Sequence, residues 1–225
     1  MREIVLDTET TGLDPNSGDR IVEIGAVELL NHMPTGNTYH QYINPQRDMP
    51  AGAFAVHGLS EEFLADKPVF SDIAQAFLDF IGDSKMVIHN ASFDMKFLNA
   101  ELTWCKKPKL PMAQALDTLE IARRKYPGAS NSLDALCRRF GIDNSARTLH
   151  GALLDSEILA EVYLELIGGR QPDLVLSVVQ NNQDSRTGAD FRSMRRPRAL
   201  ASRLTETEIA DHKAFIKALT GDSIW

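Results

Sequence analysis

Between residues 149 and 169 the chain reads LHGALLDSEILAEVYLELIGG. At about 100° per residue, Ile158, Leu159, Val162 and Leu166 gather in one stripe, with Glu157, Glu161 and Glu165 around the outside. The pattern predicts a helix over 151–167, stopped by Gly168 and Gly169. Asp155 falls in the middle of the apolar stripe, where an unpaired carboxylate is costly, so strong donors or a cation must meet it. The same periodicity predicts helices at 71–81, with Ser71 as N-cap, and at about 93–102, 117–126 and 132–140. Runs rich in β-branched residues predict strands at 3–7, 20–29, 38–43 and 86–89. Early strands followed by alternating strand and helix indicate an α/β layer fold with a mixed sheet.

The pattern changes after Gly169. Residues 170–204 are rich in Gln, Asn, Arg and Pro and nearly aperiodic, which predicts a flexible linker between a domain at 1–169 and a tail at 205–225. Order returns at TETE, a capping box with Thr205 as N-cap and Glu208 three residues on. Ile209, Ile216 and Leu219 then share one helix face before Gly221, and the chain ends on Ile224 and Trp225. A helix this short is marginal alone in water, so the tail reads as a peptide awaiting a partner.

At 225 residues and 25.0 kDa the chain holds one sizeable domain and an appendage. No apolar run approaches the ~20 residues that span a bilayer, and MREIVLDTET lacks the order of a secretory signal. Two cysteines, Cys105 and Cys137, are too few for a disulfide framework and lack metal-ligand spacing. A bacterial or general cytoplasm is the expected setting. The formal charge of −7 argues against a protein that grips nucleic acid by electrostatics alone. Yet Arg186, Arg192, Arg195, Arg196, Arg198 and Arg203 lie within 186–203 against one acid, Asp190, so the remaining chain is more acidic still.

Three acidic segments aim inward. Asp7 and Glu9, two apart on a strand, point to one face. In HNASFDMKFL, Asp94 lies between Phe97 and Leu98 on the helix wheel, a place also open to an ordinary first-turn acid favoured by the helix dipole. Asp155 is the third case. Carboxylates brought within a few ångströms cannot all ionise without a counter-charge. Hard divalent cations, Mg²⁺ or Mn²⁺, suit such a site, and a pair of them suits in-line attack on a phosphodiester. His150, five residues before Asp155, is the candidate general base. His89 reads as structural and Asn90 as a residue that orients the loop to Asp94, while His32, His40 and His212 have no chemical role.

DTETTG, HNASFD and HGALLD resemble the three motifs of the DEDD 3′–5′ exonuclease superfamily, and the H-x4-D spacing matches its histidine subtype. IVEIGAVE, FAVHGLS, the run from Asn131 to Leu164 and the terminal tail are similar to the family of epsilon proofreading subunits of bacterial DNA polymerase III. That resemblance implies an RNase H-like fold with a five-stranded mixed sheet flanked by helices. It implies that Asp7, Glu9 and Asp155 hold one metal ion, with Asp7 bridging to a second ion that Asp94 supports, and that His150 is the base. His57 would lie near the terminal nucleotide, and the Thr8–Thr10 backbone would pack on its sugar and base. Gly52 stands where close relatives often carry a glutamate that contacts the nucleotide. QPDLVL, with Gln171, Leu174 and Leu176 as anchors, fits a loose sliding-clamp-binding pattern, and Ile209, Ile216, Leu219 and Trp225 would contact the polymerase subunit.

The expected function is metal-dependent proofreading: removal of mispaired nucleotides from a single-stranded 3′ DNA end as 5′-monophosphates. Two alternatives stay open. One is a stand-alone exoribonuclease of the same superfamily, and the other is a mainly structural polymerase subunit.

Overall fold

The computed structural model describes residues 1–145, 147, 149–169 and 205–218. Five strands, β1 (Arg2–Thr10), β2 (Ile21–Leu30), β3 (Met33–Tyr42), β4 (Lys85–Ile88) and β5 (Ala115–Asp117), form one sheet in the order β3-β2-β1-β4-β5. β2 is antiparallel to both its neighbours, whereas β4 runs parallel to β1 and β5. This is the expected mixed five-stranded sheet.

Alternation along β1 sorts the core into two layers. Ile4 and Leu6 pack with Ile24, Met86 and Ile88 beneath α3 (Phe70–Ile81) and α4 (Ala91–Trp104). Val5 packs with Val27 and Val87 under α5 (Thr118–Lys125), α6 (Leu133–Phe140) and α7 (Ala152–Leu166). Two short helices, here named αA (Ala51–His57) and αB (Glu61–Leu64), cross between β3 and α3.

Several elements depart from the periodicity. β3 starts at Met33, five residues before the expected position, because Leu30 pairs with Met33 across a two-residue loop. Asn31 and His32 both take left-handed backbone there (φ 52° and 66°), the requirement of a tight hairpin turn, and Pro34 and Gly36 disguise the strand. β5 is only three residues long and leads straight into α5, whose N-cap is Asp117, so it lacks a period to read. αA and αB, at seven and four residues, are equally short.

Ser71 is not the N-cap of α3. The helix starts at buried Phe70 with Val69 as cap, and Ser71 sits inside the first turn, its hydroxyl on Asp72 Oδ1 (3.3 Å). Phe70 anchors the entry by packing in the core, which overrides the local preference for a hydroxyl cap.

α7 lies against β2 at Gly25. A Cβ there would fall 2.1 Å from the Leu153 backbone nitrogen, and the Ser156 hydroxyl donates to the Gly25 carbonyl at 2.9 Å. Glycine lets helix backbone touch strand backbone, which sets the height of Asp155 over the sheet. The chain divides into two units, Met1–Val175 and Leu176–Trp225. In the second, α8 (Glu206–Ala218) begins with the capping box: Thr205 N–H donates to Glu208 Oε2 (2.8 Å) and Glu208 N–H to Thr205 Oγ1 (3.3 Å). Among the described residues no helix is long and apolar enough to cross a membrane.

Candidate active site

A bulge between Glu9 and Thr10 shifts the register at the end of β1, so that Glu9 pairs with Glu23 and Thr10 with Ile21 of β2. On the Val5 face of this strand end, Asp7 and Glu9 open into a cleft with Asp155 of α7. Thr8 points the other way, and its hydroxyl donates to Asp94 Oδ1 at 2.7 Å. Asp94 comes from the opposite helical layer, in the first turn of α4, yet lines the same cleft. The chain reaches it through Asn90, whose left-handed backbone (φ 71°) turns β4 into α4 and whose N–H donates to Asp117 Oδ1 (3.1 Å). Asn90 thus shapes this loop through its backbone. His89 at the cleft edge pairs with Thr118 Oγ1 (2.9 Å).

Glu9, Asp94 and Asp155 are buried and Asp7 is half-buried. Burial first, then the neighbouring carboxylates of Asp94, Glu9 and Asp155, holds Asp7 well above the usual carboxylate range. Burial pushes Glu9 up to about 8, with Asp155 and Glu23 adding repulsion. Asp94 rises to about 7, chiefly by burial, against the Thr8 hydrogen bond that opposes it. Such a set is short of positive charge.

The group that meets Asp155 is Arg147. Its Nε and Nη2 donate to the two carboxylate oxygens, the latter at 2.7 Å. Nη1 donates to Asp134 Oδ1 (2.9 Å), and Nη2 also reaches His150 Nδ1 (2.8 Å). The paired Asp155 carboxylate raises the guanidinium pKa further. Arg147 was absent from the sequence candidates. A lone arginine in a loop reads as solvated, and the one available signal was the missing counter-charge itself.

His150 is exposed, at the cleft rim, with Nδ1 3.5 Å from Asp155 Oδ2. Its N–H donates to the Val56 carbonyl (3.1 Å), tying the loop to αA. His57, the last residue of αA, is buried, and burial lowers its pKa. Its Nδ1 accepts from Leu59 N–H (3.0 Å), and Nε2 has no partner among the described residues. Thr8 and Thr10 are buried, and Thr10 Oγ1 donates to the Gly12 carbonyl (2.6 Å). Gly52 is exposed on αA with open space at its Cβ position. Ile209 and Ile216 lie on α8, while Gln171, Leu174, Leu176, Leu219, Trp225 and the arginines of 186–203 lie outside the described residues.

Ligand atoms of Glu9, His150 and Asp155 lie within 4.8 Å of one another. With Asp7 and Asp94 alongside, the donor set is dominated by carboxylate oxygen, which fits hard divalent cations. Size alone would select the wrong place. A larger cleft over α4 (≈ 650 Å³ against ≈ 450 Å³) is lined by residues such as Lys96, Trp104 and Lys109 and holds no carboxylate.

A mixed sheet carrying acids from both helical layers to one strand end defines a metal-dependent nuclease class. The family model described as Exonuclease matches residues 4–163. The DNA polymerase III subunit epsilon of Rickettsia felis is 50% identical, over 97% of each chain. That of Escherichia coli K12 is 44% identical, over 100% of this chain and 97% of its own. The chain belongs to the exonuclease family and, within it, to the DNA polymerase III epsilon subunits. Among solved structures, Exonuclease X in complex with 5′ overhanging duplex DNA is 29% identical, with a TM-score of 0.59 over 73% of this chain and 90% of that one. The nuclease domain of 3′hExo, a DEDDh family member bound to rAMP, shares the fold at 18% identity and a TM-score of 0.64, over 74% and 91% of the two chains. The protein is an exonuclease, and divalent-metal dependence comes with its family.

Proposed function

We propose that the chain is the 3′–5′ DNA exonuclease that proofreads for a bacterial DNA polymerase III, releasing 5′-mononucleotides from a single-stranded 3′ end. The observation that carries this reading is the convergence of Asp7, Glu9, Asp94 and Asp155, from three elements, in one cleft with His150 on its rim. The names of the epsilon relatives, matched over nearly the whole chain, support the replicative setting.

Asp7, Glu9 and Asp155 would hold one divalent cation, and Asp7 with Asp94 in support a second, Mg²⁺ or Mn²⁺. When bound, these ions supply Lewis-acid activation of water and stabilisation of the leaving oxygen. His150, on the cleft rim, would take the proton from the attacking water. Thr8 to Thr10 position the terminal sugar and base, and His57 lies beside them. Thr8 also holds Asp94 through its hydroxyl, fixing the acid that arrives from the other layer.

Selectivity needs no reading of the wrong base, because a mismatched terminus frays more readily and presents a single strand. The acidic domain grips DNA weakly, and tethering supplies the effective concentration that charge does not. In this reading residues 205–225 bind the polymerase alpha subunit through Ile209, Ile216, Leu219 and Trp225, and residues 171–176 touch the sliding clamp. The working place is the bacterial replisome in the cytoplasm.

The test is mononucleotide release from matched and mismatched 3′ primer termini with Mg²⁺, with an Asp155→Ala control and an RNA strand in parallel. Faster loss from mismatched DNA, dependent on Asp155, supports proofreading. Preference for RNA would move the protein to exoribonucleolysis, and no release would leave a structural role.

A further inference from the structure

A guanidinium occupies the carboxylates that the reading above assigns to metal ions. Arg147 is 8% exposed in its side chain, and its fork covers both Asp155 oxygens. Arginine has donors and no acceptor, so its 2.8 Å contact makes His150 Nδ1 the acceptor and leaves the ring proton of the neutral histidine on Nε2. One side chain therefore engages Asp155 on both oxygens and the only free lone pair of the proposed base.

Resting on that reading, we propose that Arg147 is a positioning residue for the reaction. It holds Asp155 and His150 in place before the divalent cations bind, and it withdraws from both when they do, keeping Asp134 as its anchor. The anchor is independent of the fork. Nη1 bonds Asp134, while Nε and Nη2 bond Asp155, so the outer contact survives when the inner one opens. Asp134 lies at the cleft edge with 44% of its side chain exposed, a more hydrated place for a cation than the 3%-exposed Asp155. Arg147 also stands outside any helix, its N–H on the Asn144 carbonyl (3.0 Å), so moving the side chain breaks no helical hydrogen bond.

The arrangement answers two demands. Before loading, a cation keeps four crowded acids from splaying the strand end away from α7. At loading, the same cation competes, and apparent metal affinity is scaled down in proportion to the fraction of molecules in which Asp155 is free.

The experiment is calorimetric titration of the full chain with Mn²⁺ alone, for wild type, Arg147→Gln, Arg147→Lys and Asp134→Asn. Gln removes the competing charge, and Mn²⁺ should bind roughly tenfold more tightly, as when one molecule in ten is competent beforehand. Lys keeps a charge without the fork and should tighten binding less. Asp134→Asn weakens the anchor, leaves the fork on Asp155 and should weaken Mn²⁺ binding. A merely structural arginine would shift the Arg147 and Asp134 variants in the same direction. Unchanged or weaker Mn²⁺ binding in Arg147→Gln overturns the proposal, and if that variant does not fold the same outcome in Arg147→Lys does. Failure of the metal-site reading looks different: wild type itself would take up no Mn²⁺.

Discussion

Two arginines fork onto buried carboxylates in this molecule, one at the end of α4 and one at the cleft. Arg20 donates from Nε and Nη2 to the two oxygens of Glu101 (2.7 and 2.8 Å), the Ile21 N–H adds a third bond at 3.2 Å, and the guanidinium lies 4.9 Å over the Trp104 ring. One cation meets one anion, both carboxylate oxygens accept, and α4 is clamped to the start of β2. Arg147 makes the same fork on Asp155 but also serves Asp134 and His150, with Asp7, Glu9 and Asp94 lining the same cleft. Geometry is shared, and the charge balance is opposite. A saturated fork fastens two elements, whereas an outnumbered one marks a place that still lacks positive charge.

Neutralising the acid of each fork should give opposite results. Asp155→Asn should lower nuclease turnover by roughly 10⁴-fold, the scale of losing a residue central to the reaction. The same change should cost under about 1 kcal/mol of metal-free stability, since the lost fork is offset by relief among crowded acids. Glu101→Gln should do the reverse, costing about 3 kcal/mol by leaving Arg20 without its counter-charge while turnover of the folded enzyme stays near wild type. Urea unfolding beside single-turnover hydrolysis measures both, and equal stability losses would abolish the distinction.

His150→Ala comes next. Hydrolysis should fall about 10²- to 10⁴-fold with fold and Mn²⁺ binding kept, because the base transfers a proton without carrying the metal. Near-normal turnover would remove His150 from the mechanism. Gly25→Ala should cost about 1–3 kcal/mol by overpacking and should lower turnover as well, since the helix that must move carries Asp155. Lost stability with normal turnover would show that the height of α7 is not critical.

The smallest expected effect is on pH. Without metal, Glu9 at about 8 and Asp94 at about 7 hold protons that the unfolded chain has released above about pH 4. Their contribution to stability is therefore full below the unfolded values and lost as pH rises through 7 to 8. In EDTA, Tm should fall a few degrees between pH 5 and pH 8, and saturating Mg²⁺ should flatten that slope. A Tm that climbs over this range in EDTA would mean that Arg147 already neutralises the cluster.

Much of this was legible in the residues. Asp155 on an apolar stripe and Asp7 with Glu9 two apart on a central strand pointed inward through periodicity alone, and both are inside the cleft. Asp94 was ambiguous, because a first-turn acid suits any helix, and its contact with Thr8 across 86 residues resolves it. αA, αB and β5 escaped because they are shorter than the period that would reveal them. Ser71 misled because hydroxyl caps compete locally, and the burial of Phe70 moved the helix start.

Which faces are dry, where most elements run, and the need of several carboxylates for a counter-charge all follow from the residues and their order. Those are properties of spacing and composition, set by periods of two and 3.6 residues and by the cost of burying charge. Which cation answers and how the layers meet depend on contacts between distant segments. Arg147 reaches Asp155 from a non-helical position between α6 and α7, and Asp94 reaches the same cleft because β4 places α4 on the opposite face. Neither contact has a local period, since each depends on backbone paths that converge after the sheet has formed.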